Sequence, residues 1–309
     1  MPSVIFSNMH PRVFDSFCLL FNSIGWKVYI PSTKEKNYFN YGVLAPPTKG
    51  EYTELTYEEF LDVKPDVVLC LCWQHLEASI KLSKAIGSKL VLRAGNNNVP
   101  YNNTHGNFLM SNDLHTYQRC NIKNKLFFYL VPDYEFYSKL PWAGDSRIVS
   151  TYIQFYQAYW QNSWKIYNNI RLLNKDIAFV NYGAFREGTT YSPMLNKPKD
   201  ILRTFGISRC VIHVKEMEGY GWGLLEAISC GIPVVSVEKY IRGKSCESFL
   251  VESKTAVLLK KDASEFRSIF NNVEVLRKIS EEGPKFIRAL INTEEQYAKV
   301  KSFMEDVVL

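Results

Sequence analysis

Glycines at 219, 221 and 223 interrupt an otherwise apolar stretch, and that interruption limits what the chain can build there. The segment Val211 to Val235 reads VIHVKEMEGYGWGLLEAISCGIPVV. Val211, Ile212 and Val214 form a short run of β-branched residues, suited to a buried strand. Glu218-Gly219-Tyr220-Gly221 cannot continue that strand, because two glycines in three residues favour a turn or a close backbone approach. Trp222 to Cys230 then reads as a helix, with Gly231 placed to end it and Pro233 two residues beyond. Pro233-Val234-Val235 opens the next strand. The pattern is strand, turn, helix, turn, strand.

Helical geometry gathers Leu224, Leu225, Ala227 and Ile228 into one apolar arc. Glu226 falls on the opposite side, and the spacing predicts that it points away from the core. The helix start offers backbone amides, Tyr220 to Gly223, to an anion. Amides for phosphate and a carboxylate for hydroxyls, on one helix start, fit a nucleotide-sugar diphosphate with its ribose.

Glu218 and Glu226 stand with seven residues between them, followed by Ala227, Gly231, Pro233 and two valines. This resembles the E-G-F/Y-G…E-A…G-x-P-V-V signature of the large retaining glycosyltransferase family that includes sucrose synthase. Gly243-Lys244-Ser245-Cys246-Glu247 resembles that family's glycine-glycine…glutamate loop. The resemblance implies an α/β fold of two Rossmann-like, doubly wound domains facing across a cleft, the GT-B fold. It implies that Glu226 holds the ribose hydroxyls. Glu218 would lie near the donor sugar, and Gly219, Tyr220, Gly221, Trp222 and Gly223 would carry the diphosphate. Arg186, after the strand Asp176 to Val180, takes the place of the family's basic loop, and Arg12 is a second candidate cation. The donor implied is a nucleotide diphosphate sugar, a UDP-sugar first among them, with no permanently bound cofactor and no metal; no D-x-D pair occurs in the chain.

The rest of the chain supports such a fold. Its 309 residues suffice for two α/β domains. Val4-Ile5-Phe6, a helix over Val13 to Ser23 and the strand Trp26 to Ile30 open a parallel, doubly wound sheet. Pro65 to Cys72 continues it as a buried strand, and Lys89 to Leu92 runs into Gly95-Asn96-Asn97-Asn98. The asparagines offer uncharged donors and acceptors for sugar or base edges, with Asn96 the candidate catalytic contact; they are equally suited to a turn. Asp113, beyond the strand-like Leu109 to Ser111, is a further candidate. It joins His105 and His10 as possible bases for an inverting route. Retention, which needs no dedicated base, is what the resemblance implies. Tyr152, Phe155, Tyr156, Tyr159, Trp160, Trp164 and Tyr167 recur at helical steps and suit core or interdomain packing.

The expected domains are 1–152 on the acceptor side, a helical linker 153–175, a nucleotide-sugar domain 176–285, and a last helix, 286–309, crossing back to the first domain. About thirty residues separate Gly188 from Glu218, so a shortened C-terminal domain is expected. Arg147 to Ile153 is expected as the last strand of the first domain. No apolar run reaches the length of a membrane span, and the start, MPSVIFSNMH, has no basic stretch ahead of an apolar one. Seven cysteines with no C-x-x-C spacing fit a reduced, cytoplasmic protein. The net charge is +6. Residues 1–175 carry 18 Lys/Arg against 13 Asp/Glu, and residues 176–309 carry 19 against 18. The basic excess in the first half suits an anionic acceptor.

Three functions follow. The first is a glycosyltransferase, hexosyl or pentosyl, acting on a glycan, lipid or small molecule. The second is the same transfer to a hydroxymethylated pyrimidine base of DNA. The third is a sugar-nucleotide epimerase or a non-catalytic nucleotide-sugar binding protein.

Overall fold

The computed structural model describes residues 1–7, 11–35, 38–39, 46–95, 101–138, 140–153, 156–183, 198–260 and 263–309, without the side chains of 11 and 12. It divides into two compact units, Met1–Val131 with Ile291–Leu309, and Pro132–Leu290. Among the described residues, twelve strands form two sheets whose pairings are all parallel.

The first unit runs β1 (Ser3–Phe6), α1 (Pro11–Ser23), β2 (Lys27–Pro31), β3 (Thr53–Leu55), α2 (Tyr57–Val63) and β4 (Val67–Cys70). It continues through α3 (Leu76–Ile86), β5 (Lys89–Ala94), β6 (Phe108–Ser111), α4 (Leu114–Arg119) and β7 (Asn124–Phe127). The strand order is β3-β2-β1-β4-β5-β6-β7. Val67 to Cys70 are buried throughout, as a strand covered on both faces requires. Phe6 packs on Phe14, Phe17 and Phe21, which α1 presents at helical spacing. The short α2, in a stretch with no expected element, rests on a capping box: Thr56 Oγ1 accepts from the Glu59 amide, and the Glu59 carboxylate accepts from the Thr56 amide.

The second unit runs α5 (Tyr134–Tyr137), β8 (Ile148–Thr151), α6 (Tyr156–Tyr159), α7 (Gln161–Leu173), β9 (Ala178–Asn181), α8 (Pro198–Ile207) and β10 (Cys210–His213). Then come α9 (Trp222–Ser229), β11 (Val234–Val237), α10 (Glu238–Ile241), β12 (Ala256–Leu259), α11 (Glu265–Asn271) and α12 (Val273–Leu290). The final α13 (Thr293–Val308) belongs to the first unit, where Gln296 Oε1 accepts from the Tyr129 amide at 2.9 Å. The second sheet has the order β12-β11-β10-β8-β9.

That order corrects the placing of one strand. Arg147 to Ile153 does not close the first sheet: as β8 it pairs with β9 and β10 at the centre of the second. The physical reason lies in the pairing partners, since Val149 stands opposite both Cys210 and Phe179. Hydrophobicity alone cannot tell one sheet from another. Of the aromatic run, Tyr156–Tyr159 and Gln161–Leu173 form two helices, and Tyr156, Tyr167 and Ile170 are buried in the core over this sheet with Phe266 and Phe270.

The strand order reverses between β10 and β8. From β8 the chain goes to β9 on one side; from β10 it goes to β11 on the other. Ligands of open α/β sheets bind outside the carboxyl ends of the strands at such a reversal. α9 leaves that point and packs on α12 at close range. Gly231 has φ +73°, and a Cβ there would stand 2.8 Å from the Ser280 carbonyl oxygen. A Cβ is thus excluded by both conformation and space. Gly231→Ala is expected to lower stability by about 1–3 kcal/mol, measured as a lower urea midpoint at unchanged m-value.

Candidate functional site

β10 ends at His213, and the chain turns through Lys215 to Gly221 before α9 begins at Trp222. Gly221 is the N-cap of α9 with φ +74° and ψ +45°, the left-handed region, and no side chain caps the helix there. A Cβ on Gly221 would lie 3.1 Å from Leu224 Cδ1 and 3.5 Å from Cys246 Cβ. The backbone conformation therefore favours glycine at this position, and the Leu224 side chain would have to shift slightly to admit a Cβ. At Gly223 a Cβ would meet nothing within 4 Å, so that glycine leaves open space beside the first turn. Tyr220 stacks on Trp222 with ring centroids 6.3 Å apart and meets Phe249 edge-on. The indole Nε1 of Trp222 is buried without a hydrogen-bond partner.

Glu218 folds back from the turn onto the end of β10. Its Oε2 stands 2.7 Å from His213 Nε2 and 3.3 Å from Lys215 Nζ, and its Oε1 accepts from the Gly219 amide at 3.1 Å. Its side chain is only 14% exposed. Burial acts to raise its pKa, but Lys215 and His213 outweigh that and hold the carboxyl far below the usual carboxylate range. Glu218 is thus a fixed anion, and the imidazole nitrogen is the donor in their bond. Such a group can stabilise positive charge at a neighbouring carbon; it has no proton to give near neutral pH.

Glu216, two residues earlier, has a structural task. Its carboxylate accepts from the Asn162 and Ser163 amides, each at 3.1 Å, at the first turn of α7. Burial opposes its ionisation, but these bonds prevail and lower its pKa. Lys244 donates to the Glu216 carbonyl oxygen. Burial lowers the Lys244 pKa, against the pull of Glu218 and other nearby anions.

Glu226 departs from expectation. It does not project away from the core: it is 0% exposed. The reason is α5, which packs on the side of α9 that the helical spacing left polar. The Tyr137 hydroxyl donates to Glu226 Oε1 at 2.6 Å. A one-helix projection cannot anticipate a second helix covering the polar face.

Asp113 is likewise 0% exposed. It is the N-cap of α4, its Oδ1 accepting from the Thr116 amide at 2.7 Å. Next to it, Asn112 accepts from Arg93 Nε at 3.1 Å and donates to the Phe128 carbonyl at 2.9 Å. His105 Nδ1 accepts from the Asn102 amide at 3.2 Å. Asn96, Arg186 and His10 lie outside the described residues, as does the side chain of Arg12. Arg186 follows β9, an edge strand that is not the neighbour of β10.

Sequence reasoning missed His213, Lys215, Lys244 and Tyr137. The first two lie in the very segment that opened the analysis, five and three residues before Glu218, and their basic character beside an acid was a usable signal. Lys244 lies in the loop Gly243–Glu247 that the sequence did single out, without its charge being given a part; Tyr137 comes from a remote segment and carried no signal. A cavity of about 650 Å³ lies apart from the turn, between α7 and the carboxyl ends of β11 and β12. Ile166, Leu172, Val237 and Leu259 form its apolar walls, with Lys239 and Lys260 beside them. Among the described residues, no three His, Cys, Asp or Glu side chains converge as a metal site requires, and no helix is long and apolar enough to cross a membrane.

No family model matches this chain, and no curated protein matches it in sequence. Solved structures do match it in fold. Anabaena HepE in complex with UDP and glucose superposes with a TM-score of 0.66 at 11% identity, over 99% of both chains. A glycosyltransferase from Rickettsia africae gives 0.63 at 11% identity, over 99% of this chain and 98% of that one. Sucrose-phosphate synthase from Thermosynechococcus elongatus gives 0.61 at 11% identity, over 99% of each. At such identities the likeness is one of fold. The fold is α/β, two Rossmann-like parallel-sheet units of the GT-B type, as the sequence led one to expect.

Two outcomes are expected from this geometry. Tyr137→Phe removes a 2.6 Å hydrogen bond to the buried Glu226 carboxylate and should cost about 1–3 kcal/mol of stability in urea unfolding. Glu218 is held below its unfolded pKa, so its clamp contributes fully above the ordinary carboxylate range and is lost as pH falls below it. The stability difference between parent and Glu218→Gln should therefore be largest at neutral pH and shrink on acidification. A difference that grows towards acid would refute the assignment.

Proposed function

We propose that this chain is a glycosyltransferase that moves a sugar from a UDP-sugar to an acceptor hydroxyl, with retention at the anomeric carbon. The observation that carries the reading is the uncapped start of α9, at the point where the strand order reverses, with a fixed carboxylate beside it. The UDP and glucose in the HepE structure, a protein of this fold, support the donor class. In this reading the amides of Gly219 to Gly223 receive the diphosphate, the helix dipole favouring its charge. Glu218 lies towards the sugar, where an ionised carboxylate favours an oxocarbenium-like transition state. Negative charge develops on the departing diphosphate, and a front-face route needs no separate base, so a buried Asp113 is no obstacle to it.

Glu226 enters with a condition. Its covered carboxylate would take ribose hydroxyls only by sharing them with, or displacing, the Tyr137 hydroxyl. Asn96 and Asp113 as contacts near the sugar, and Arg186 and Arg12 as further cations for the diphosphate, stand as proposals. The acceptor in this reading is a glycan, a lipid head group or a small molecule, and transfer runs without added metal.

The test is a thermal-shift series with UDP-, GDP- and ADP-sugars, with and without EDTA. One UDP-sugar is expected to raise Tm by several degrees, unchanged by EDTA, and Glu226→Ala is expected to abolish that rise. Equal stabilisation of parent and variant would place the ribose elsewhere. No response to any sugar nucleotide would remove the proposal.

A further inference from the structure

We propose that Lys215 and Lys244 supply the positive charge for a nucleoside diphosphate at the glycine turn, in place of a basic loop after the strand beside β10. The inference rests on the donor class proposed above and adds the residues that bind its charged part.

The strand order raises the need. The neighbour of β10 is β8, so a loop that reaches the turn from the adjacent strand must follow β8. The chain leaving β8, Tyr152 to Trp160, reads YIQFYQAYW and holds no Lys or Arg. Arg186 follows β9, with β8 intervening. One intervening strand sets β9 itself roughly 10 Å from β10 in the sheet. The usual side of the turn is therefore without cations in the adjacent loop.

The other side has them. Lys215 leaves β10, while Lys244 follows α10, and both reach the short stretch Glu216–Glu218. Lys215 Nζ is 3.3 Å from Glu218 Oε2, and Lys244 Nζ donates to the Glu216 carbonyl oxygen. The segment bearing Lys244 also borders the turn itself, through Cys246 against Gly221. Lys215 is paired with the Glu218 carboxylate, whereas the bonded partner of Lys244 is a neutral carbonyl oxygen. The Glu216 and Glu218 carboxylates act on Lys244 through space, while the Glu216 oxygens are bonded to the amides of α7. Among the described residues no carboxylate forms an ion pair with Lys244, which stands beside the positive end of α9. A diphosphate at the turn would supply that anion, and its charge-assisted bonds would be among the stronger contacts available.

The experiment measures binding of UDP, UMP and uridine, by calorimetry or competition, to the parent and to Lys244→Met, Lys244→Arg and Lys215→Met. Lys244→Met keeps the length of the stem, and Lys244→Arg keeps the charge. Lys244→Met is expected to weaken UDP by about 10- to 100-fold, to weaken UMP less, and to leave uridine within about twofold. Lys244→Arg should restore most of the UDP affinity, and Lys215→Met should weaken UDP in the same selective way. Uridine falling as far as UDP in Lys244→Met would show a structural role and overturn the inference, as would an unchanged UDP affinity. A parent that binds uridine and UDP equally would overturn it too. A parent that binds neither would remove the donor reading itself and the inference with it.

Discussion

The left-handed turn at Gly221 governs the geometry at the carboxyl end of β10 in the second unit. Because that residue takes φ +74°, the chain leaving β10 can reverse within a few residues and enter α9 without a side chain at the cap. Two consequences follow from one backbone conformation. Glu218 is folded back onto His213 and Lys215, and the first amides of α9 are directed towards the ends of the strands rather than into the core. The helix is then fixed at its far end by glycines. Gly231 on the turn after α9 and Gly283 on α12 let the two backbones approach to distances that a Cβ would forbid or strain. A turn held at one end and a helix held at the other leave little freedom for the carboxylate between them.

Three glutamates lie within eleven residues of one another, and their partners give each a different physical role. Glu216 caps α7 through the amides of Asn162 and Ser163. Glu218 is an anion pinned between cations. Glu226 sits behind α9 under the Tyr137 hydroxyl. Residue type does not separate these roles, since all three are carboxylates near a helix start. What separates them is which donor reaches each one and how much water is left around it.

Much of the fold was legible in sequence. β-branched runs and glycine or proline punctuation located β1, β2, β4, β5, β10 and β11 within a few residues, because each buries an apolar stretch and ends where the backbone must turn. The helical face of α1 could be read from its phenylalanines. β3 and α2 passed unseen, since three strand residues carry little pattern; the Thr56…Glu59 capping box was the signal available. β8 was seen as a strand but assigned to the wrong sheet. At the site, Glu218 and the glycines were legible because they are local, while the contacts of Tyr137 and of Lys244 were not, because each arrives from a distant part of the chain.

The sequence by itself determined where the chain turns, which faces are apolar and that a glycine-bearing strand–helix unit lies at 211–235. These follow from local sterics and from periodicity, which a short window contains in full. Tertiary structure decided that β8 lies beside β10, that Glu226 and Asp113 are covered, and that Lys244 reaches the turn. Those outcomes depend on which surfaces meet across long stretches of chain, and burial and charge pairing take their values only after that meeting.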